Sequence, residues 1–336
     1  MNAASTMNVI EVTEEFDGMM LLDFLCQHLP EVSVRQLRQM VSQADIRVGG
    51  VESRPDATLH AGDVVELNIP EVGLRLYRPE RLPLTVLYED RCVLVVDKPA
   101  GLAVLPDRRG GEPRFVNGLM YYLSKSSQEA TGVARPLIAH RLDRDASGAI
   151  VVVKDRAALR SLSEQFARRT VQKEYLALVW GRVGPASGTI DAPLMVDRQA
   201  ISVRVDRAGG SVAITHYAVE EQFRQVALVR VKPETGRLHQ IRVHFRAIGH
   251  PVLCDPLYGD GSPLNLSSFK REYRASRDRP EPPLMTRLAL HAERLSFVSP
   301  YGGRPVSVQA PIPKDLAVTL KMLRKYAVVQ KRDSRV

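Results

Sequence analysis

One stretch, Ala139 to Asp155, limits what this chain can build more than any other. Arg141, Asp143, Arg144 and Asp145 crowd their charges together, Ser147-Gly148 follows, and then Ala149–Val153 runs apolar and largely β-branched. Such a run reads as a buried strand. Gly148 can take backbone angles closed to other residues, so the chain can turn sharply from loop into strand. The result is a charged loop pinned at the edge of a sheet, with Asp143 among arginines. An opposite charge nearby favours the ionised carboxylate, so Asp143 is expected to carry its charge at neutral pH. In that form it can be a nucleophile or an electrostatic anchor, but not a general acid. On charge pattern alone, a solvated ion-pair loop is the alternative.

Two further segments carry chemistry-bearing side chains. Period two in Lys173–Gly181 predicts a strand with Tyr175, Ala177 and Val179 on one face. The spacing of Leu238, Ile241, Phe245 and Ile248 predicts a helix over 237–249, capped by Thr235 and stopped by Gly249. Arg242 and Arg246, with His239, fall along another side of it; a solvated basic face is the plain alternative.

The rest of the chain falls in order around these pieces. Residues 1–7 read as a loose start. Leu21, Leu22, Leu25 and Leu29 make one helical stripe, and Ser33 is placed to cap a second helix carrying Val34, Leu37, Met40 and Val41 inward, with Arg35 and Arg38 outward. Short strands follow at Ile46–Val48, at Val51 beyond the Gly49-Gly50 turn, and at Val64–Ile69 after Ala61-Gly62-Asp63. Residues 71–84 are a linker rich in proline and charge. Strand Cys92–Val96, helices over 117–123 and 157–168, strands at 189–190, 211–219 and 225–231, a hairpin over 288–308 and a final helix from Lys314 come next. Residues 197–210 read as an arginine-rich loop, and 261–286 as a flexible polar insert able to lie on phosphates.

At 336 residues the chain suits one large domain plus a smaller one. Its 47 Lys+Arg over 38 Asp+Glu give +9 and favour a polyanionic partner, with nucleic acid ahead of a membrane. Three scattered cysteines, Cys26, Cys92 and Cys254, fit neither a disulfide framework nor a zinc site and suit a reducing cytoplasm. No run approaches the ~18 apolar residues of a spanning helix, and Glu11, Glu14, Glu15 and Asp17 are opposite in charge to the start of a signal peptide. Motifs for nucleotide, nicotinamide or metal binding are lacking, so no cofactor and no metal are expected.

Several blocks in combination resemble the signature of the RluA-type pseudouridine synthases, which isomerise uridine in structured RNA, over roughly residues 85–312. They are Lys98-Pro-Ala-Gly101; His140-Arg-Leu-Asp143 with Ser147-Gly148 and its strand; Lys173-x-Tyr-x-Ala177 closing at Gly181; Thr235-Gly-Arg-x-His-Gln-Ile-Arg-x-His244, then Gly249-His-Pro251 and Asp255-Pro-Leu-Tyr-Gly259; and Leu290-His-Ala292 with Leu295 and Phe297. Ala146 departs from the family's usual threonine. The amino-terminal pattern of two helices, a glycine turn and Gly62-Asp63 before a strand is similar to the S-four-type RNA-binding domain, with Ala44-Asp45 and Gly49 in place of the usual glycine and asparagine.

The resemblance implies an α+β fold: a catalytic domain with a mixed, mainly antiparallel sheet split by a basic cleft, and a small α/β RNA-binding domain before it. Expected boundaries are 8–70 for the RNA-binding domain, 71–84 for the linker, 85–325 for the catalytic domain and 326–336 for a basic tail. It implies Asp143 as nucleophile, Arg242 as its partner, and Tyr175 stacked on the uracil, a contact worth ~1–3 kcal/mol for a flipped base. Arg141 would fill the gap left by the base or bind a phosphate, while Ile241 and Leu290 touch the uracil. Arg35, Arg38 and Arg47, then Arg237, His239 and Arg246, would lie on RNA. The expected protein is a cytoplasmic monomer acting on large-subunit ribosomal RNA, with transfer RNA open as the target. Alternatives are a non-catalytic RNA-binding or ribosome-assembly factor on this fold, and a glycoside hydrolase. The hydrolase would need a second carboxylate as acid, and Asp145 sits in an unsuitably arginine-rich setting.

Overall fold

A computed structural model describes residues 6–29, 32, 34–69, 79–104, 115–126, 136–197, 202–274 and 280–329. The chain divides into two compact units, Met1–Leu84 with Leu105–Pro136, and Thr85–Val104 with Leu137–Val336.

In the first unit, strand β1 (Thr6–Glu11) is followed by α1 (Leu21–His28), α2 (Val34–Ser42), β2 (Ile46–Val48), β3 (Val51–Glu52) and β4 (Val64–Ile69). The strands form one antiparallel sheet in the order β1-β4-β2-β3. Leu21, Phe24 and Leu25 of α1 and Leu37, Met40 and Val41 of α2 fill the core with Ile46, Val65 and Leu67, as the leucine periodicity requires. In place of the loose start expected over residues 1–7, Thr6 and Met7 are already strand. They pair with β4 because its edge offers unpaired backbone groups there. Ser33 lies outside the described residues, as do linker residues 71–78. Helix α3 (Phe115–Ser126) buries Phe115, Leu119 and Met120, and its Asn117 carbonyl accepts the Glu80 N–H at 3.1 Å.

The second unit is built on β5 (Thr85–Glu89), β6 (Val93–Lys98), β7 (Leu137–Ile138), β8 (Ser147–Val153), β9 (Gln172–Trp180), β10 (Ser187–Asp191), β13 (Ile214–Gln222), β14 (Val226–Pro233), β15 (Leu290–Val298) and β16 (Pro305–Gln309). Between β10 and β13 the chain also makes a separate hairpin of β11 (Leu194–Asp197) and β12 (Ser202–Val205). The main sheet runs β10-β13-β14-β9-β15-β8-β6-β5, with β16 on β15 and β7 on β8. Of its pairings, β15 with β8 is parallel and the others are antiparallel. Every residue of β8 is buried, as the apolar run demanded. Helix α4 (Arg156–Ala167) follows it, capped by the Asp155 carboxylate on the Ala158 N–H at 2.7 Å. Helix α5 (Gln240–Ala247) packs near β12, β13 and β14, and α6 (Lys314–Tyr326) closes the unit.

Three segments depart from the sequence expectation. The arginine-rich stretch 197–210 is not all loop: Val203 and Val205 alternate as strand residues and pair with Val196 and Leu194. Residues 261–286 are not a loose insert among the described residues. Leu264, Phe269 and Met285 enter the main core, and Leu264 exchanges backbone hydrogen bonds with Leu284 and Met285. Their few apolar side chains outweigh the polar average of the segment. Finally, α5 starts at Gln240 instead of 237, because the backbone at His239 is left-handed.

Candidate active site

Lys98 ends β6, and its place in the sheet sets the alignment of the site. Residues Lys98, Gly148, Ala292, Tyr175, Val231 and Tyr217 face one another in register across six neighbouring strands. Gly148 takes φ +115°, and a β-carbon there would stand 2.2 Å from the Ala292 carbonyl oxygen, so only glycine permits this row. The loop bearing Asp143 is thereby set against the strand bearing Tyr175.

That loop is held from several sides. The Lys98 ammonium, fully buried, donates to the carbonyls of Pro99 (2.8 Å), Leu102 (3.0 Å) and Arg144 (3.0 Å). Burial pushes its pKa down to about 8, against the opposing charges of Asp145 and Asp143. The Arg144 side chain donates to the Gly101 carbonyl at 3.0 Å. His140 accepts the Val151 N–H at 3.0 Å, and burial drives its pKa down to about 3, so the ring serves as a neutral acceptor. Ala146 is buried in the main core, and Ser147 meets the buried His291 ring at 3.0 Å. An apolar core contact is what this loop makes where the family's usual threonine would stand.

Asp143 itself is partly buried, and its Oδ2 accepts from Arg242 at 3.1 Å. Arg242 donates from Nε and Nη2 to the two oxygens of Asp255, both at 2.7 Å. It also lies over the Tyr258 ring, 5.0 Å from the centroid. Burial raises the Asp255 carboxyl, but Arg242 and the N–H groups of Leu257 and Tyr258 outweigh it and leave the pKa lowered. One guanidinium therefore bridges two carboxylates, a strong charge-assisted arrangement in a covered place.

His239 stands just before α5 at φ 51°, ψ 20°. This left-handed turn is why the helix begins late. Thr235 does not cap it directly: its hydroxyl donates to the Gln240 side chain (2.7 Å), which also accepts the Arg237 N–H (3.0 Å). The His239 ring is largely covered, with Nδ1 2.8 Å from the Tyr258 hydroxyl and Nε2 4.0 Å from Asp143 Oδ1.

Tyr175 is half-buried and packs against the core cluster that contains Ile241 and Leu290, both buried. Burial, then the Asp143 charge, push its phenol pKa up, so it stays protonated. Arg141 is exposed, close enough for its charge to act on His239. Arg237 and Arg246 are both exposed, with Arg237 donating to the Val212 carbonyl at 3.1 Å. In the first unit Arg35, Arg38 and Arg47 are all exposed. The structure thus gathers Asp143, Arg242, Tyr175, Ile241, Leu290, His239 and Arg141 in one unit. Lys98, Asp255 and Tyr258 enter the sequence reading only as parts of motifs. A signal was available for Asp255: a buried arginine needs more acceptors than one carboxylate supplies. Among the described residues no group of His, Cys, Asp and Glu could hold a metal ion, and no helix is long and apolar enough to cross a membrane.

Residues 92–247 match the family model described as RNA pseudouridylate synthase. The chain is 36% identical over 314 residues to the ribosomal large subunit pseudouridine synthase D of Xanthomonas campestris, covering 90% of this chain and 88% of that one. It is 36% identical over 324 residues to an uncharacterized RNA pseudouridine synthase of Bacillus subtilis, covering 95% and 99%. The solved human RNA pseudouridylate synthase domain containing 1 superposes with a TM-score of 0.53 at 27% identity, over 75% of this chain and 92% of that one. Sharing over a third of its residues with such a protein along nine-tenths of its length, this chain belongs to the RNA pseudouridylate synthase family.

Proposed function

We propose that this RNA pseudouridine synthase isomerises uridine in large-subunit ribosomal RNA with Asp143 as its nucleophile. The reaction breaks the bond from ribose carbon 1 to uracil nitrogen 1, turns the base, and joins the sugar to carbon 5. The carbon-5 hydrogen leaves as a proton and nitrogen 1 ends with one, so nothing is oxidised overall. One ionised carboxylate can supply the electron pair. The observation that carries this reading is the 3.1 Å bond from Arg242 to Asp143 Oδ2, made by a guanidinium that Asp255 already holds in place.

Arg242 holds Asp143 in orientation through the bond to Oδ2. Tyr175, protonated and beside Asp143, stacks on the flipped uracil and is placed to help move a proton. Ile241 and Leu290 supply apolar contact to the base, and Arg141 enters the gap it leaves or takes a phosphate. Arg237 and Arg246, with Arg35, Arg38 and Arg47 of an S-four-like amino-terminal unit, lie along the RNA backbone, where positive charge at the right spacing is enough. The name of the Xanthomonas relative supports the ribosomal target.

The test is release of tritium from carbon 5 of uridine in an unmodified large-subunit ribosomal RNA transcript, by wild type and by Asp143→Ala. Wild type is expected to release label at a single uridine or a few, and the variant none. Equal release from both removes Asp143 from its role. Release from a transfer RNA transcript alone reassigns the target.

A further inference from the structure

His239 holds a strained backbone and a covered ring beside Asp143, and neither feature suits a residue that only meets phosphates. At φ 51° it is a left-handed residue bearing a β-carbon, a conformation kept only where the surroundings enforce it. The ring of this residue is held by Tyr258. The Tyr258 hydroxyl accepts the Val203 N–H at 2.9 Å and meets His239 Nδ1 at 2.8 Å. A phenol owns one hydrogen. With Val203 donating to its oxygen, that hydrogen is free to point at Nδ1, which then accepts. Burial, the largest influence on the ring, lowers its pKa and favours the neutral form, with Arg242 and Arg141 acting the same way and Asp143 and Asp255 opposing. A neutral ring that accepts at Nδ1 carries its hydrogen on Nε2. Nε2 is the atom facing Asp143 Oδ1, at 4.0 Å.

We propose that His239 is a positioning residue for the isomerisation, donating its Nε2–H to Oδ1 of Asp143 once the target uridine is bound. This rests on the reading of Asp143 as nucleophile. The carboxylate is then held at both ends, by Arg242 at Oδ2 and His239 at Oδ1, and cannot rotate away from the substrate. Each oxygen has two lone pairs, so one remains for the reacting atom. The gap must shorten by about 1 Å, the kind of tightening that active-site hydrogen bonds undergo on substrate binding. No proton changes hands at His239; the ring fixes direction, and it stabilises the carboxylate charge again when the bond to substrate breaks.

Two substitutions separate this role from a merely structural one. The amide nitrogen of asparagine reaches about as far as Nδ1, and asparagine tolerates the left-handed turn well. That of glutamine reaches about as far as Nε2, but glutamine tolerates the turn less. His239→Asn is expected to keep its Tm and its KM for the tritiated large-subunit transcript, while kcat falls roughly ten- to hundredfold, the size of one charge-assisted hydrogen bond. His239→Gln is expected to recover kcat to within a few fold of wild type. A kcat in His239→Gln no higher than in His239→Asn overturns the proposal. So does a nitrogen-15 spectrum of the wild-type ring that reads Nδ1 as the protonated nitrogen, a measurement that needs no folded variant. Asp143→Asn runs in the same assay. Full activity there sinks the nucleophile reading itself, whereas an inactive Asp143→Asn with the wrong His239 order sinks this inference alone.

Discussion

Arg242 has its five N–H donors in a rigid fork, and three of them reach carboxylates: two on Asp255 and one on Asp143. Fixing the guanidinium with a fully buried second carboxylate leaves the third bond no freedom of direction. Removing Asp255 therefore strands a buried cation and loosens Asp143. Asp255→Ala is expected to lose about 3–5 kcal/mol of stability in urea unfolding, the cost of breaking a buried pair, and to lower kcat more than it raises KM. The sign with pH comes from the lowered Asp255 pKa. A carboxyl whose folded pKa is depressed contributes stability that is whole above its unfolded value of ~3.9 and fades as pH falls through the folded value. The wild-type curve should steepen below about pH 4, and Asp255→Ala should flatten that limb. A variant that tracks wild type there would show that Asp255 is not the group titrating.

β6 and β8 act through the loops they end and begin. The Lys98 ammonium uses three donors on three carbonyls, one of them Arg144 in the Asp143 loop. It needs its proton to do so, and burial has brought its pKa to about 8. From about pH 8 to its ordinary ~10.4 the unfolded chain binds the extra proton. The penalty of burying the charge therefore shrinks, and Lys98 does not make the protein less stable as pH rises. The loop, however, loses one donor. The expected outcome is a wild-type kcat that declines as pH passes about 8 while the urea midpoint does not fall on account of Lys98. Lys98→Met should lack that pH step and cost about 1–3 kcal/mol at pH 7. A kcat unchanged in Lys98→Met would show that the loop holds without the lysine.

The two compact units have separate cores, Leu21, Phe24 and Leu37 filling one and Leu178, Phe245 and Leu320 the other. In the first unit acidic residues outnumber basic ones, so the proposed hold on the RNA backbone falls to the exposed arginines of α2 and β2. Replacing Arg35 and Arg38 together by glutamine should weaken binding of the ribosomal transcript uniformly. The slope of log K against log salt should become shallower by ~1.5, the sum expected for two lost phosphate contacts. At saturating RNA, kcat should be unchanged. An unaltered salt slope would mean that these arginines face solvent in the complex too.

How much of this protein could be read along the chain depends on the range of the forces involved. Periodicity and composition report which side of an element is buried, a local property. That is why β8, β9, α1, α2 and α4 fall close to where their apolar spacing puts them. The motif match supplied the family and the pair of Asp143 with Arg242. Segment 261–286 misled because its average is polar while three side chains, Leu264, Phe269 and Met285, determine where it goes. The start of α5 misled because the backbone turns left-handed at His239, whose ring meets a tyrosine nineteen residues later. Asp255, Tyr258 and Lys98 found their work only when strands from distant parts of the chain came into register. Hydrophobic burial is written in each segment; the partner of a buried charge is settled by which segments meet.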